Sequence, residues 1–238
     1  MEFKSYIKNA DCFDEFKNIK DKTVDLVCVD LPYGQTKCEW DCVIDLSKMW
    51  DELKRICKDN CVYIFFCTTK FGHSLISSNP KWFRYDLVWE KTNSVGFLNA
   101  NKMPLRNHEM IYIFYKNLPT YNPQKIPLAK PNIIKRNEEF NGVYGNIKQN
   151  FTSEYTDRHP VSIQKFKNSN HKSKHSTQKP VEACEWLIKS YSNEGDSVLD
   201  FTMGSGSTGV ACKNTNRKFI GIELNEEFFK VAEERIKN

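Results

Sequence analysis

Two short stretches of this 238-residue chain combine residue types and spacings that could do chemistry: Asp30-Leu31-Pro32-Tyr33-Gly34, and residues 200–209 with the glutamate that follows them. In the second stretch Gly204, Gly206 and Gly209 fit G-x-G-x-x-G, and Glu223 lies at the end of the next apolar run. Glycines in such a turn let a ligand approach the backbone, and a carboxylate one strand further on can accept the hydroxyls of a ribose. In the first stretch an acid, a proline and an aromatic come directly after the apolar run 24–29. That is the end of a strand at which open α/β sheets place their ligands. Taken singly, each stretch also has a plain structural reading. Proline and glycine make ordinary strand-ending turns, and a glycine helix start can serve packing alone.

The elements that must position these residues are legible on both sides of a long irregular segment. Continuous apolar runs at 24–30, 61–67, 85–91, 108–116, 197–202 and 218–224 read as buried strands. Leu46, Met49, Trp50, Leu53, Ile56 and Cys57 recur at helical spacing over 45–58, and Val181, Cys184, Leu187, Ile188 and Tyr191 line one face of a later helix. Thr177 and Pro180 suit the start of that helix. Further helices are expected from "FGHSLISS", over "STGVACKNT" and at 225–237. Uninterrupted apolar strands joined by helices imply an α/β fold, a mostly parallel sheet covered on both faces. Residues 117–177 show little periodicity and are too many for a bare connection. They are read as an insertion.

Composition narrows the classes. With 39% hydrophobic and 13% aromatic residues the chain can form a packed core. Its apolar runs are too short to span a bilayer, and its first residues lack the basic-then-apolar layout of a signal peptide. Nine cysteines, several inside apolar runs, suggest an intracellular, reducing setting. The Cys38/Cys42 and Cys57/Cys61 steps are not the tighter spacing of structural zinc ligands, so no metal is assigned. Residues 101–180 carry 14 lysines and arginines against 5 acids, whereas the whole chain carries 35 against 30. A basic middle between slightly acidic ends suggests a polyanion-facing surface.

A dinucleotide reading of the glycine turn fails on order. Such a turn should open the nucleotide-binding domain, and here almost nothing follows Glu223. S-adenosylmethionine, a nucleoside with an amino-acid tail and no phosphates, fits the same glycines and acid. The company of motifs then makes a specific resemblance. Asp30-Leu31-Pro32-Tyr33 resembles the D-P-P-Y catalytic motif of the permuted, beta-class amino-group DNA methyltransferases. His175-Ser176-Thr177-Gln178-Lys179-Pro180 resembles that family's H-P-T-Q-K-P, and residues 200–208 resemble its D-P-F-x-G-S-G-T-T. Catalytic motif, insertion and cofactor loop occur in the family's order over almost the whole chain, which explains why the glycine turn comes late. Leu31, Phe201-Thr202 and Ser176 depart from the pattern.

The resemblance implies a Rossmann-like methyltransferase fold with a catalytic half at 1–116, a target-recognition insertion at 117–175 and a cofactor-binding half at 176–238. It implies that Asp30 and the Leu31 carbonyl accept the hydrogens of a base's exocyclic amine, that Pro32 shapes the turn and that Tyr33 stacks on a flipped base. S-adenosylmethionine would meet Asp11, Cys12, Asp30, Lys179, Asp200, Phe201, Thr202, Gly204, Ser205, Gly206 and Glu223. Double-stranded DNA is the expected partner, with Arg106, Lys135, Arg136, Arg158, Lys165, Lys167, Lys172 and Lys174 as phosphate-contact candidates. A homodimer and a companion restriction endonuclease are further partners the family suggests. The acid-first motif favours adenine N6 as the methylated atom. The alternatives are cytosine N4 and, in a different class, an RNA or a protein amide.

Overall fold

The apolar strands find their cover in the computed structural model, where an eight-stranded sheet lies between two layers of helices. The structure describes residues 3–34, 43–142, 145–168 and 178–238, with 136–151 described by backbone alone. In chain order the elements are β1 (Ser5–Asn9), α1 (Cys12–Phe16), β2 (Val24–Asp30), α2 (Leu46–Ile56), β3 (Cys57–Cys67), α3 (Thr69–Ser78), β4 (Phe83–Val95) and β5 (Arg106–Tyr115). They continue with β6 (Ile126–Gly142), β7 (Gly145–Arg158), β8 (Ile163–Phe166), α4 (Val181–Tyr191), β9 (Ser197–Asp200), α5 (Ser207–Asn214), β10 (Lys218–Glu223) and α6 (Glu226–Lys237). Strand order in the large sheet is β1-β10-β9-β2-β3-β5-β4-β8. All neighbours run parallel except at β5, which is antiparallel to both β3 and β4. The short stretch from β4 to β5 cannot make the crossover that a parallel partner requires.

Side chains alternate between the faces of the central strands and so fill two cores. On β3, Tyr63 and Phe65 join Val27, Val29, Trp50 and Leu53 on one face, while Val62, Ile64 and Phe66 join Leu26, Cys28, Leu187 and Ile188 on the other. Helix starts are fixed locally. Asp45 accepts from the amides of Ser47 and Lys48, Thr68 from Phe71 and Asn225 from Glu227 and Phe228, which satisfies amide groups that the helices leave unpaired. Cys57, expected on the helix, opens β3 instead. Pro180 is the cap residue of α4, and Thr177, Cys38 and Cys42 lie outside the described residues.

The chain divides into two compact units, Met1–Asn122 with Ser162–Asn238, and Pro123–Val161. The second is the antiparallel ribbon β6-β7, paired from Ile126↔Arg158 to Gly142↔Gly145 with a register shift between Pro127 and Asn132. This ribbon lies within 117–175, the segment expected as the insertion. Asn122 stays with the first unit, its amide donating to the Ser190 carbonyl at 2.7 Å, and β8 pairs with β4 at the sheet edge. Among the described residues no helix is long and apolar enough to cross a membrane.

Candidate active site

β9 and β2 are the neighbours from which the chain proceeds in opposite directions across the sheet, β9 to β10 and β2 to β3. A crevice opens beyond the strand ends at such a reversal. Asp30 and Asp200 are the last residues of these two strands, and the Thr202 hydroxyl ties them together by donating to the Asp30 carbonyl at 3.1 Å. Asp200 is 4% exposed. Burial pushes its carboxyl up to about 7, against the Thr208 hydroxyl and the Thr202 amide, which favour the charged form.

The glycine turn is built around Glu223. Its carboxylate accepts from the Gly204 amide at 2.8 Å and the Asn225 amide at 2.9 Å. Burial still holds its pKa above the ordinary glutamate value. Gly206 has φ 78° at the start of α5, and a side chain there would come within 2.9 Å of the Ala232 Cβ. Gly209 has a different reason: a Cβ would lie 2.5 Å from Ile236 Cδ1, so its absence lets α5 pack on α6. Ser205 is held from two sides, by Arg235 at 2.9 Å on its hydroxyl and by its own hydrogen bond to Gln178 Oε1 at 3.2 Å.

Across the crevice lies a line of charges. The Tyr33 hydroxyl donates to Asp30 Oδ1 at 2.6 Å, and Lys179 Nζ donates to Asp30 Oδ2 at 2.5 Å. The same ammonium lies 2.9 Å from Glu109 Oε1, and Lys91 Nζ lies 2.8 Å from Glu109 Oε2. Lys91, Glu109 and Lys179 side chains are 14%, 12% and 12% exposed. Burial opposes the Lys179 charge, but the Asp30 and Glu109 carboxylates outweigh it and raise its pKa. Burial likewise pushes Glu109 upward, yet Lys179 and Lys91 together bring its pKa below the ordinary value. Asp30 is the mixed case. Burial, helped by Glu109, outweighs Lys179 and the Tyr33 hydroxyl, and its pKa is raised.

The structure brings together Asp30, Leu31, Pro32, Tyr33, Lys179, Asp200, Thr202, Gly204, Ser205, Gly206 and Glu223 around the ends of β2, β9 and β10. Leu31 buries its side chain in the core, so the role expected of it is a backbone one. Phe201 does the same, edge-on to Phe16 at 5.3 Å. Asp11 caps α1, accepting from the Phe13 amide at 2.8 Å, and the thiol of Cys12 is pushed up to about 12 by burial, with smaller contributions from Asp11 and Glu223. Lys179, expected at the cofactor, pairs with Asp30 and Glu109 beside it. Sequence reading missed Glu109 and Lys91. The signal was present, since an acid within the apolar run "HEMIYIFY" must find a partner when buried.

The basic candidates are carried by several elements. Arg106 and Lys167 are exposed in the first unit, and Lys165 there pairs with Glu90 at 2.9 Å. Lys135 and Arg158 are exposed on β6 and β7, Arg136 is described by backbone on β6, and Lys172 and Lys174 lie outside the described residues.

The chain is similar to known proteins over most of its length. The family model described as DNA methylase, of N6/N4 type, matches residues 24–234. The type II methyltransferase M1.MboII of Moraxella bovis is 29% identical over 95% of this chain and 94% of its own length. M.HpaI of Haemophilus parainfluenzae is 30% identical over 92% of this chain and 70% of its own. Among solved structures, the M1.HpyAVI–SAM complex superposes with a TM-score of 0.66 at 22% identity, covering 98% of this chain and all of that one.

Proposed function

This chain belongs to the N6/N4 family of DNA methylases, and we propose that it methylates the N6 amine of adenine in double-stranded DNA, using S-adenosylmethionine, on a base turned out of the helix. The observation that carries this reading is Asp30, fixed at the end of β2 with one oxygen on Tyr33 and the other on Lys179, and joined through Thr202 to the glycine turn. The residues of that turn suit the cofactor. The Glu223 carboxylate accepts two amides and keeps acceptor capacity for two hydroxyls. At the start of α5 the buried Ser207 hydroxyl has no partner among the described residues and is a donor for a polar tail. Asp11 and Cys12 border the same side. When bound, S-adenosylmethionine supplies an electrophilic sulfonium methyl.

The chain's own part is positioning. An exocyclic amine is a weak nucleophile because its lone pair is delocalised into the ring. Asp30 accepts one amine hydrogen and the Leu31 carbonyl the other, which concentrates the lone pair on nitrogen, and Tyr33 offers an aromatic face. Each oxygen of Asp30 has a second acceptor position beside its present partner. The acid-first motif supports adenine over cytosine. A homodimer and a paired endonuclease belong to the same proposal as family traits. The test is to incubate the protein with S-adenosylmethionine and unmethylated DNA, digest to nucleosides and weigh them. N6-methyldeoxyadenosine is expected. N4-methyldeoxycytidine would overturn the choice of base, and no methylated nucleoside despite cofactor binding would overturn the reading.

A further inference from the structure

Asp30 does not face Lys179 alone. Around it stand Tyr33 on the following loop, Cys67 at the end of β3, Glu109 on β5, Lys179 before α4 and Asp200 at the end of β9. Of these only Lys179 is a cation, and it is shared: 2.5 Å to Asp30 and 2.9 Å to Glu109. Glu109 is shared in turn, its second oxygen 2.8 Å from Lys91. Charges therefore alternate from Lys91 through Glu109 and Lys179 to Asp30, and Lys91 reaches Glu109 because β4 and β5 pair with Trp89 opposite Glu109. Four charges in line, three of them with side chains at most 14% exposed and Asp30 at 29%, cost much desolvation, more than holding one carboxylate in place requires. A lysine bound to Asp30 alone would be a strong competitor for the oxygen that the target amine needs.

Building on the amino-methyltransferase reading, we infer that Lys91 and Glu109 are positioning residues that divide Lys179 between Glu109 and Asp30, and so set how strongly Asp30 accepts the target amine. The two ends of the line then have opposite effects. With Glu109→Gln the ammonium belongs to Asp30 alone, which becomes a weaker acceptor and ionises more readily. With Lys91→Met the uncompensated Glu109 draws Lys179 away, and Asp30 ionises less readily.

The test is the single-turnover rate of methyl transfer against pH, with labelled S-adenosylmethionine prebound and phage DNA free of methylation as substrate. Ionised Asp30 is the reactive form, so its titration sets the acid limb. Glu109→Gln should move that limb to lower pH by about one unit and lower the plateau roughly tenfold. Lys91→Met should move the limb to higher pH, and Glu109→Asp should restore it toward that of the unaltered protein. Cofactor affinity, measured by calorimetry, should be the same in all four proteins and attests that each is folded. A variant that folds too poorly to bind cofactor leaves the opposite-end variant and the aspartate rescue to decide. Limbs that coincide, or that move in one direction for both end variants, would overturn the inference while leaving the methyltransferase reading intact. No label in DNA with the unaltered protein would remove both.

Discussion

The two walls of the crevice solve the same problem differently. The β4–β5 wall balances Glu109 with lysines, whereas the β9–β10 wall meets Asp200 and Glu223, at the ends of its strands, with neutral donors. Along this series the number of cations sets the direction of the shift. Glu109, between two lysines, lies below its ordinary pKa; Asp30, with one lysine and a second acid nearby, lies above it; Asp200, with none, is pushed up to about 7. A wall of neutral donors suits hydroxyls and a polar tail that must bind and leave. A wall of alternating charge suits an acceptor whose ionisation has to be fixed before the base arrives.

The sharpest way to break this contrast is to remove one acid from each wall. Asp30→Ala should lower methyl transfer by about a thousandfold or more while leaving cofactor affinity nearly unchanged, as scintillation counting of DNA and calorimetry would show. A variant that still methylates at the full rate would take Asp30 out of the chemistry. Glu223→Ala should do the reverse first. Losing a buried acceptor for the ribose should weaken cofactor binding by about 1–3 kcal/mol, roughly five- to 150-fold in Kd. Unchanged affinity would mean that Glu223 serves only the turn through Gly204 and Asn225.

The walls should also differ in how they answer to pH. Unfolded, Asp200 releases its proton near the ordinary 3.8, whereas folded it keeps it to about 7. The folded state thus binds an extra proton between those values. The stability this gives is fully present below about pH 4 and is lost as pH rises through 7. Glu109 has the opposite sign: its contribution is present above its ordinary value of 4.5 and fades as pH falls. Asp200→Asn should therefore flatten the decline in Tm between pH 5 and 8 and raise Tm at pH 8 by about 3 °C. A decline as steep as in the unaltered protein would assign it to other groups, Asp30 and Glu223 first.

What could be read in the sequence follows the same division. β2, β3 and β9 are buried on both faces, so they read as apolar runs, and the acid that ends β2 and the glycines after β9 stand out against them. β1 is an edge strand of largely exposed residues and carries no such run. β6 and β7 are polar, and Pro127 and Pro131 in β6 argue against a strand until one sees the register shift that accommodates them. Only four residues of β8 touch the sheet edge. The neutral-donor wall lies within a few residues of its own motif and was legible almost whole. The charged wall is assembled from four distant segments, in part by an antiparallel pairing that periodicity does not specify, so Lys91 and Glu109 stayed hidden and the pairing of Lys179 with Asp30 and Glu109 was not foreseen.

The smallest expected effect extends the contrast from carboxylates to cations. Lys165 already has Glu90 at 2.9 Å, whereas Lys135 and Arg158 are exposed on their ribbon. A cation that neutralises a phosphate releases a counterion and adds about 0.9 to the slope of log K against log salt. If the ribbon cations contact DNA, Lys135→Ala with Arg158→Ala should lower that slope by about 2 and weaken binding several-fold at moderate salt. Lys165→Ala should change it far less, because its charge is already partly spent on Glu90. Fluorescence anisotropy on one duplex over a salt series measures all three proteins. Equal losses for Lys165 and for the ribbon pair would mean that pairing with a carboxylate does not withdraw a surface lysine from DNA. An unchanged slope for the double variant would move the phosphate contacts to Arg106 and Lys167.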